Sequence, residues 1–73
     1  MTITNVMSEV IGSVWKVDMK VGDAVKTGDT IMILESMKME IPVEAPVDGT
    51  LAELKVKPEE SVDEDQVLCT IES

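Results

Sequence analysis

Laid on itself at an offset of 37 positions, the chain matches without a gap, and this repeat limits its possible folds more than any other feature. Ile11-Gly12-Ser13-Val14 falls on Asp48-Gly49-Thr50-Leu51, Val17 on Leu54, Met19 on Val56, Val25 on Val62, Ile31 on Leu68 and Leu34 on Ile71. Glu35-Ser36 falls on Glu72-Ser73, the end of the chain. The molecule is therefore two copies of one short unit, joined at Met37-Lys38. Neither copy can bury its apolar face alone, so the two must interlock, as a flattened barrel or sandwich. A pseudo-twofold between them would set Lys38 at one pole and the C-terminus at the other.

The residues available for that core select the class. Eleven Val, six Ile and four Leu dominate; Phe and Tyr are absent and Trp15 stands alone. Val and Ile are stiff at the first side-chain torsion and favour strands. Three prolines and four glycines punctuate the runs. An all-β domain spanning 1–73 follows, with strands expected near 2–8, 13–20, 30–35, 39–44, 50–57 and 67–72 and brief extended pieces around Val25 and Val62. Trp15, Val17, Met19 and Val21 alternate with Lys16, Asp18 and Lys20, the period of a half-buried strand. Ala52, Leu54 and Val56 repeat that facing. Met39, Ile41, Val43 and Ala45 alternate with Glu40, Pro42 and Glu44, which puts Pro42 on an outer face where an edge strand can spare its missing N–H. Turns are expected at Gly12, Val21-Gly22-Asp23, Thr27-Gly28-Asp29 and Asp48-Gly49.

Fifteen acids against six lysines leave a net charge of −9, which opposes approach to nucleic acid or to an anionic bilayer. The expected chain is a monomer bound to neither. One cysteine cannot form an internal disulfide, and no apolar run approaches the roughly 20 residues a membrane span needs. With no signal-peptide pattern, a cytoplasmic protein is expected. The absence of a Pro/Ala-rich linker before Thr2 favours a free-standing protein over an excised module.

At the joint the chain must turn tightly between strands ending near Glu35 and beginning near Met39. A two-residue hairpin ordinarily recruits Asn-Gly because positive φ is needed there, yet here the central pair is Met37-Lys38. Local preference is overridden, and such conflicts concentrate at functional sites. The other five lysines read as solvated surface. Lys38, held between two methionines and then Glu35 and Glu40, reads as presented.

Glu35-Ser36-Met37-Lys38-Met39-Glu40 resembles the Glu-Ala-Met-Lys-Met signature of biotinyl carrier domains, with Ser36 in place of the usual Ala. Val21-Gly22-Asp23-Ala24-Val25-Lys26-Thr27-Gly28-Asp29-Thr30 is similar to that family's approach to the hairpin, and Ala45-Pro46-Val47-Asp48-Gly49-Thr50 to its Ala-Pro-x-x-Gly run. The resemblance covers the whole chain. It implies a barrel-sandwich of two four-stranded antiparallel sheets related by a pseudo-twofold, with Lys38 at the tip of a β-turn. Only Ser13 to Lys20 separate Gly12 from Val21, which leaves no room for the protruding thumb of some carboxylase carriers.

What the resemblance implies is carriage. A biotin protein ligase would join biotin to the Lys38 amine as an amide, and the loaded arm would then serve a biotin carboxylase site and a carboxyltransferase site. The cofactor brings the chemistry, the protein the tether. Carboxylates near Lys38 would hold its amine in the unreactive ammonium form, so Glu35 and Glu40 read as recognition or solvation groups.

The alternative carrier is a lipoyl domain of a 2-oxo acid dehydrogenase, which shares the fold and the lysine turn. Its hairpin typically reads Asp-Lys-Ala, from which Met37 and Met39 depart. An enzyme is disfavoured: with no His, no Arg and one Cys, there is no convincing nucleophile with its base and no metal cluster. Met7, Met19 and Met32 read as core fillers, Cys69 as a small buried hydrophobe and Trp15 as partial core. The acidic run 59–65 lacks the glycine of an EF-hand loop and reads as solvated.

Overall fold

Eight strands follow the repeat: β1 (Ile3–Met7), β2 (Gly12–Val17), β3 (Ala24–Val25), β4 (Thr30–Ser36), β5 (Met39–Glu44), β6 (Gly49–Leu54), β7 (Ser61–Val62) and β8 (Val67–Glu72). The structure is a computed structural model and describes residues 2–73. The strands make two antiparallel four-stranded sheets, ordered β5-β4-β2-β7 and β1-β8-β6-β3. Shifting the first order by one repeat gives the second. Each half lends its short strand to the other sheet, β7 pairing with β2 through Gly12–Val62 and β3 with β6 through Ala24–Thr50. That exchange is the interlock that neither half could supply for itself. Among the described residues no helix is long and apolar enough to cross a membrane.

The core is built from repeat-related pairs, all buried: Val14 with Leu51, Val25 with Val62, Ile31 with Leu68, Met32 with Cys69 and Leu34 with Ile71. Full burial of each larger aliphatic side chain contributes about 1.5–3 kcal/mol before chain entropy is counted. The buried Cys69 thiol is pushed up to about 11 by desolvation, as expected of a small hydrophobe held away from water.

Turns repeat in bond-for-bond detail. The Asp23 carboxylate accepts from the Lys20 N–H (2.9 Å) and that of Asp29 from the Lys26 N–H (2.9 Å). In the second copy the side chains of Glu60 and Gln66 do the same for Lys57 and Asp63. Positive φ falls at Gly22 and Gly28 in the first copy and at Glu59 and Asp65 in the second. Only the first copy meets that requirement with glycine, the residue that suffers no Cβ clash there. The acidic 59–65 loop is exposed apart from Val62.

Three expectations need correction. Strands predicted over 13–20 and 50–57 stop at Val17 and Leu54. A β-bulge between Val14 and Lys16, matched between Leu51 and Glu53 in the other copy, inserts one residue and resets the alternation. Val14 and Leu51 therefore point inward, and Trp15 is thrown out of the core at 47% exposed, with the Lys16 ammonium 5.2 Å from its ring centre. Met32 fills the core and Met19 packs against it, but Met7 is half exposed on β1, an edge strand, where the pairing register shifts at Val6/Met7. Pro42 lies on edge strand β5 with an exposed side chain, as its missing N–H requires.

Candidate cofactor-attachment site

Strands β4 and β5 are paired down to Ser36–Met39, leaving Met37 and Lys38 alone in the turn. Both adopt positive φ, 52° and 64°, the signature of a type I′ turn, whose twist matches that of the strands it joins. Neither is Gly, Asn or Asp, so each carries a backbone cost on the order of 1 kcal/mol that the strands beneath must offset. The long register of β4 with both β5 and β2 supplies that support.

Two contacts fix the base of the hairpin. The Ser36 hydroxyl donates to the Ile11 carbonyl at 2.8 Å, tying the hairpin to the loop that enters β2. Gly12 lies so close to the Glu35 carbonyl that a Cβ there would collide with it. The segment before β2 is thereby pressed against the end of β4, and the turn projects from a braced support.

Lys38 is exposed. Among the described residues the ion pairs are Lys16–Asp18 and Lys55–Glu53, and Lys38 belongs to neither. Apolar surface surrounds the turn: Met37 is 90% exposed, Met39 60% and Ile11 70%. What the arrangement offers is a free primary amine on a short stalk, with an apolar bracket that another protein could grip. No group of three or more His, Cys, Asp or Glu is placed to hold a metal ion among the described residues. A groove of about 450 Å³ opens instead between edge strands β1 and β5, where Val6, Leu34, Ile41 and Val43 are among its lining residues, and Lys38 is not.

Ile11 is a residue that sequence reasoning passed over, although its signal was available. Its repeat partner Asp48 accepts from the Thr27 N–H (2.7 Å) and hydroxyl (3.0 Å), and these bonds hold its carboxyl below the usual range. One pole thus uses this position as a structural clasp. The lysine pole places bare isoleucine there.

A family model described as "Biotin-requiring enzyme", covering biotin and lipoyl attachment, matches residues 2–71. The chain belongs to the biotin/lipoyl attachment family. Its similarity to the biotin/lipoyl attachment protein of Bacillus subtilis (strain 168) is 45% identity over 60 residues, covering 82% of each chain. The acetyltransferase component of the acetoin cleaving system of the same organism, a dihydrolipoyllysine-residue protein, is 42% identical over 59 residues, 81% of this chain and 14% of that one. Among solved structures, the crystal structure of Kluyveromyces lactis urea carboxylase superposes with a TM-score of 0.93 and 30% identity, covering 99% of this chain and 6% of that chain. The biotin/lipoyl domain is thus a carrier module, found in the larger relatives as a small part of the whole. The fold of this member is the barrel-sandwich expected of it, with homologues among both biotin and lipoyl carriers.

Proposed function

We propose that the chain, residues 1–73 as one domain, is a covalent biotin carrier loaded on Lys38. The observation that carries this reading is the Met37-Lys38-Met39 turn, an exposed amine bracketed by two exposed methionines on a braced hairpin. The residues fit the cofactor: an amide can form at an amine that is exposed and outside the ion pairs of the described residues. When bound there, biotin supplies a ring nitrogen able to take carboxylate from a biotin carboxylase and give it to a carboxyltransferase. The chain itself presents the amine, loses its positive charge on acylation and keeps the arm clear of the barrel.

The protein is a carrier without catalysis of its own, working in the cytoplasm as a monomer with a biotin protein ligase, a biotin carboxylase and a carboxyltransferase as partners. A second reading, a lipoate carrier for 2-oxo acid dehydrogenase-type acyl transfer, is supported by the likeness to the acetoin-cleaving acetyltransferase. The methionine bracket favours biotin. Incubation with a biotin ligase and a lipoate ligase in competition, followed by peptide mass spectrometry, tests both. One biotinyl group on Lys38, and none on a Lys38→Arg variant, is the expected result. Lipoyl on Lys38 would select the second reading, and modification spread over several lysines would overturn both. Replacing Met37 by Asp and Met39 by Ala should shift the preference towards lipoate.

A further inference from the structure

The methionines of this chain occupy very different surroundings. Met32 is fully buried, whereas Met37 is 90% and Met39 60% exposed on either side of Lys38. Leucine would provide an apolar bracket of similar size, so the thioether adds something that shape does not require. What it adds is two-electron redox chemistry, which depends on access to the sulfur.

We propose that Met37 and Met39 form a reversible oxidation site that controls acylation of Lys38. The inference rests on the carrier reading above and concerns the regulation of the same turn. A lone pair of the thioether sulfur takes the terminal oxygen of a peroxide. The O–O bond breaks as the S–O bond forms, sulfur loses two electrons, and the peroxide proton leaves with the other oxygen as water or alcohol. A thiol-dependent methionine sulfoxide reductase reverses the step: the oxygen departs as water and two thiols become a disulfide. The oxidised side chain is polar and chiral where it was flexible and apolar. A modifying enzyme that grips the turn through the Ile11, Met37 and Met39 surface must then desolvate a sulfoxide oxygen, which slows acylation. Oxidation at the turn leaves the barrel intact, because Met37 and Met39 are exposed and lie outside the buried core.

The test begins with the untreated chain, acylated by biotin and lipoate ligases in turn. A separate, unacylated portion is exposed to hydrogen peroxide, cleared with catalase and then given to the same ligases. Peptide mass spectrometry should show Met37 and Met39 oxidised well before Met32. Acylation should fall about tenfold, the scale expected for a polar atom buried without a partner, and should return after treatment with reductases for both sulfoxide epimers. A Met7→Leu variant, which removes the half-exposed methionine of β1, should keep the same sensitivity. Oxidation of Met37 no faster than Met32, an unchanged rate on the oxidised hairpin, or loss of the effect in Met7→Leu would each overturn the proposal while leaving the carrier reading standing. Failure of the untreated chain to take either cofactor would overturn the carrier reading, and this proposal with it.

Discussion

Glu35 and Glu40 stand directly opposite one another across β4 and β5, the second residue pair beneath the lysine turn. Both are exposed, and like charges directly opposed in an antiparallel pair are destabilising. The chain already carries a net charge of −9. Glu40→Lys should therefore stabilise the fold by ~0.5 kcal/mol, seen as a higher urea midpoint at unchanged slope. The gain should shrink at about 1 M salt, where exposed charges are screened within a few Å. A lower midpoint would show that the two carboxylates do not repel in the folded state.

The turn itself should trade stability against use. Met37 holds φ 52°, a conformation that Asn enters more readily than Met. Met37→Asn should raise the thermal midpoint, by the equivalent of up to about 1 kcal/mol, and at the same time slow the ligase by removing the most exposed part of the apolar bracket. Faster or equal acylation of the variant would dissociate the methionine from recognition.

Thr70 offers a prediction inside the core. It is buried, and its hydroxyl oxygen has no hydrogen-bond partner. Its repeat partner is Ile33, which is β-branched and has no polar atom in its side chain. Thr70→Val keeps the shape and removes the unpaired group, so chemical denaturation should report a gain of about 1 kcal/mol. A loss would mean that the hydroxyl is bonded in solution.

Cys69 makes stability depend on alkaline pH. Its folded-state value is raised from 9.0 to about 11. Between those limits the unfolded chain gives up its thiol proton while the folded chain keeps it, so the unfolded state is favoured as pH rises. The contribution is fully present below pH 9 and lost towards pH 11. Comparison of the wild type with Cys69→Ala over that range isolates it from the lysines. The two curves should converge with rising pH, and parallel curves would contradict the assignment.

Much of this was legible before any coordinates, and the reason is the repeat. Once Leu34 falls on Ile71 and Met32 on Cys69, each half checks the facing of the other, and the core pairs and the lysine joint follow. The bulges after Val14 and Leu51 escaped because both copies share them, so the comparison of halves stays silent there. Trp15 was misjudged for that reason: one inserted residue turns its side chain to water. Met7 was misjudged because an apolar residue on an edge strand has no second neighbour to cover it. Ile11 was readable as a mismatch with Asp48, but an apolar residue opposite an acid carries meaning only once the acid's clasp on Thr27 is seen.

The pole opposite the lysine has its own consequence. There the Thr2 N–H donates to the Ser73 carbonyl and the Ser73 N–H to the Thr2 carbonyl, each at 2.8 Å. These two bonds close β1 on β8 where, in the other sheet, the turn closes β4 on β5. In topological terms residues 2–73 trace a ring of two equal arcs, open between Ser73 and Thr2. Two residues joining Ser73 to Thr2 would close the ring, and the opening could be moved to any exposed turn. If those two residues were Met and Lys, the ring would carry an exposed amine at each end, a barrel with two like poles.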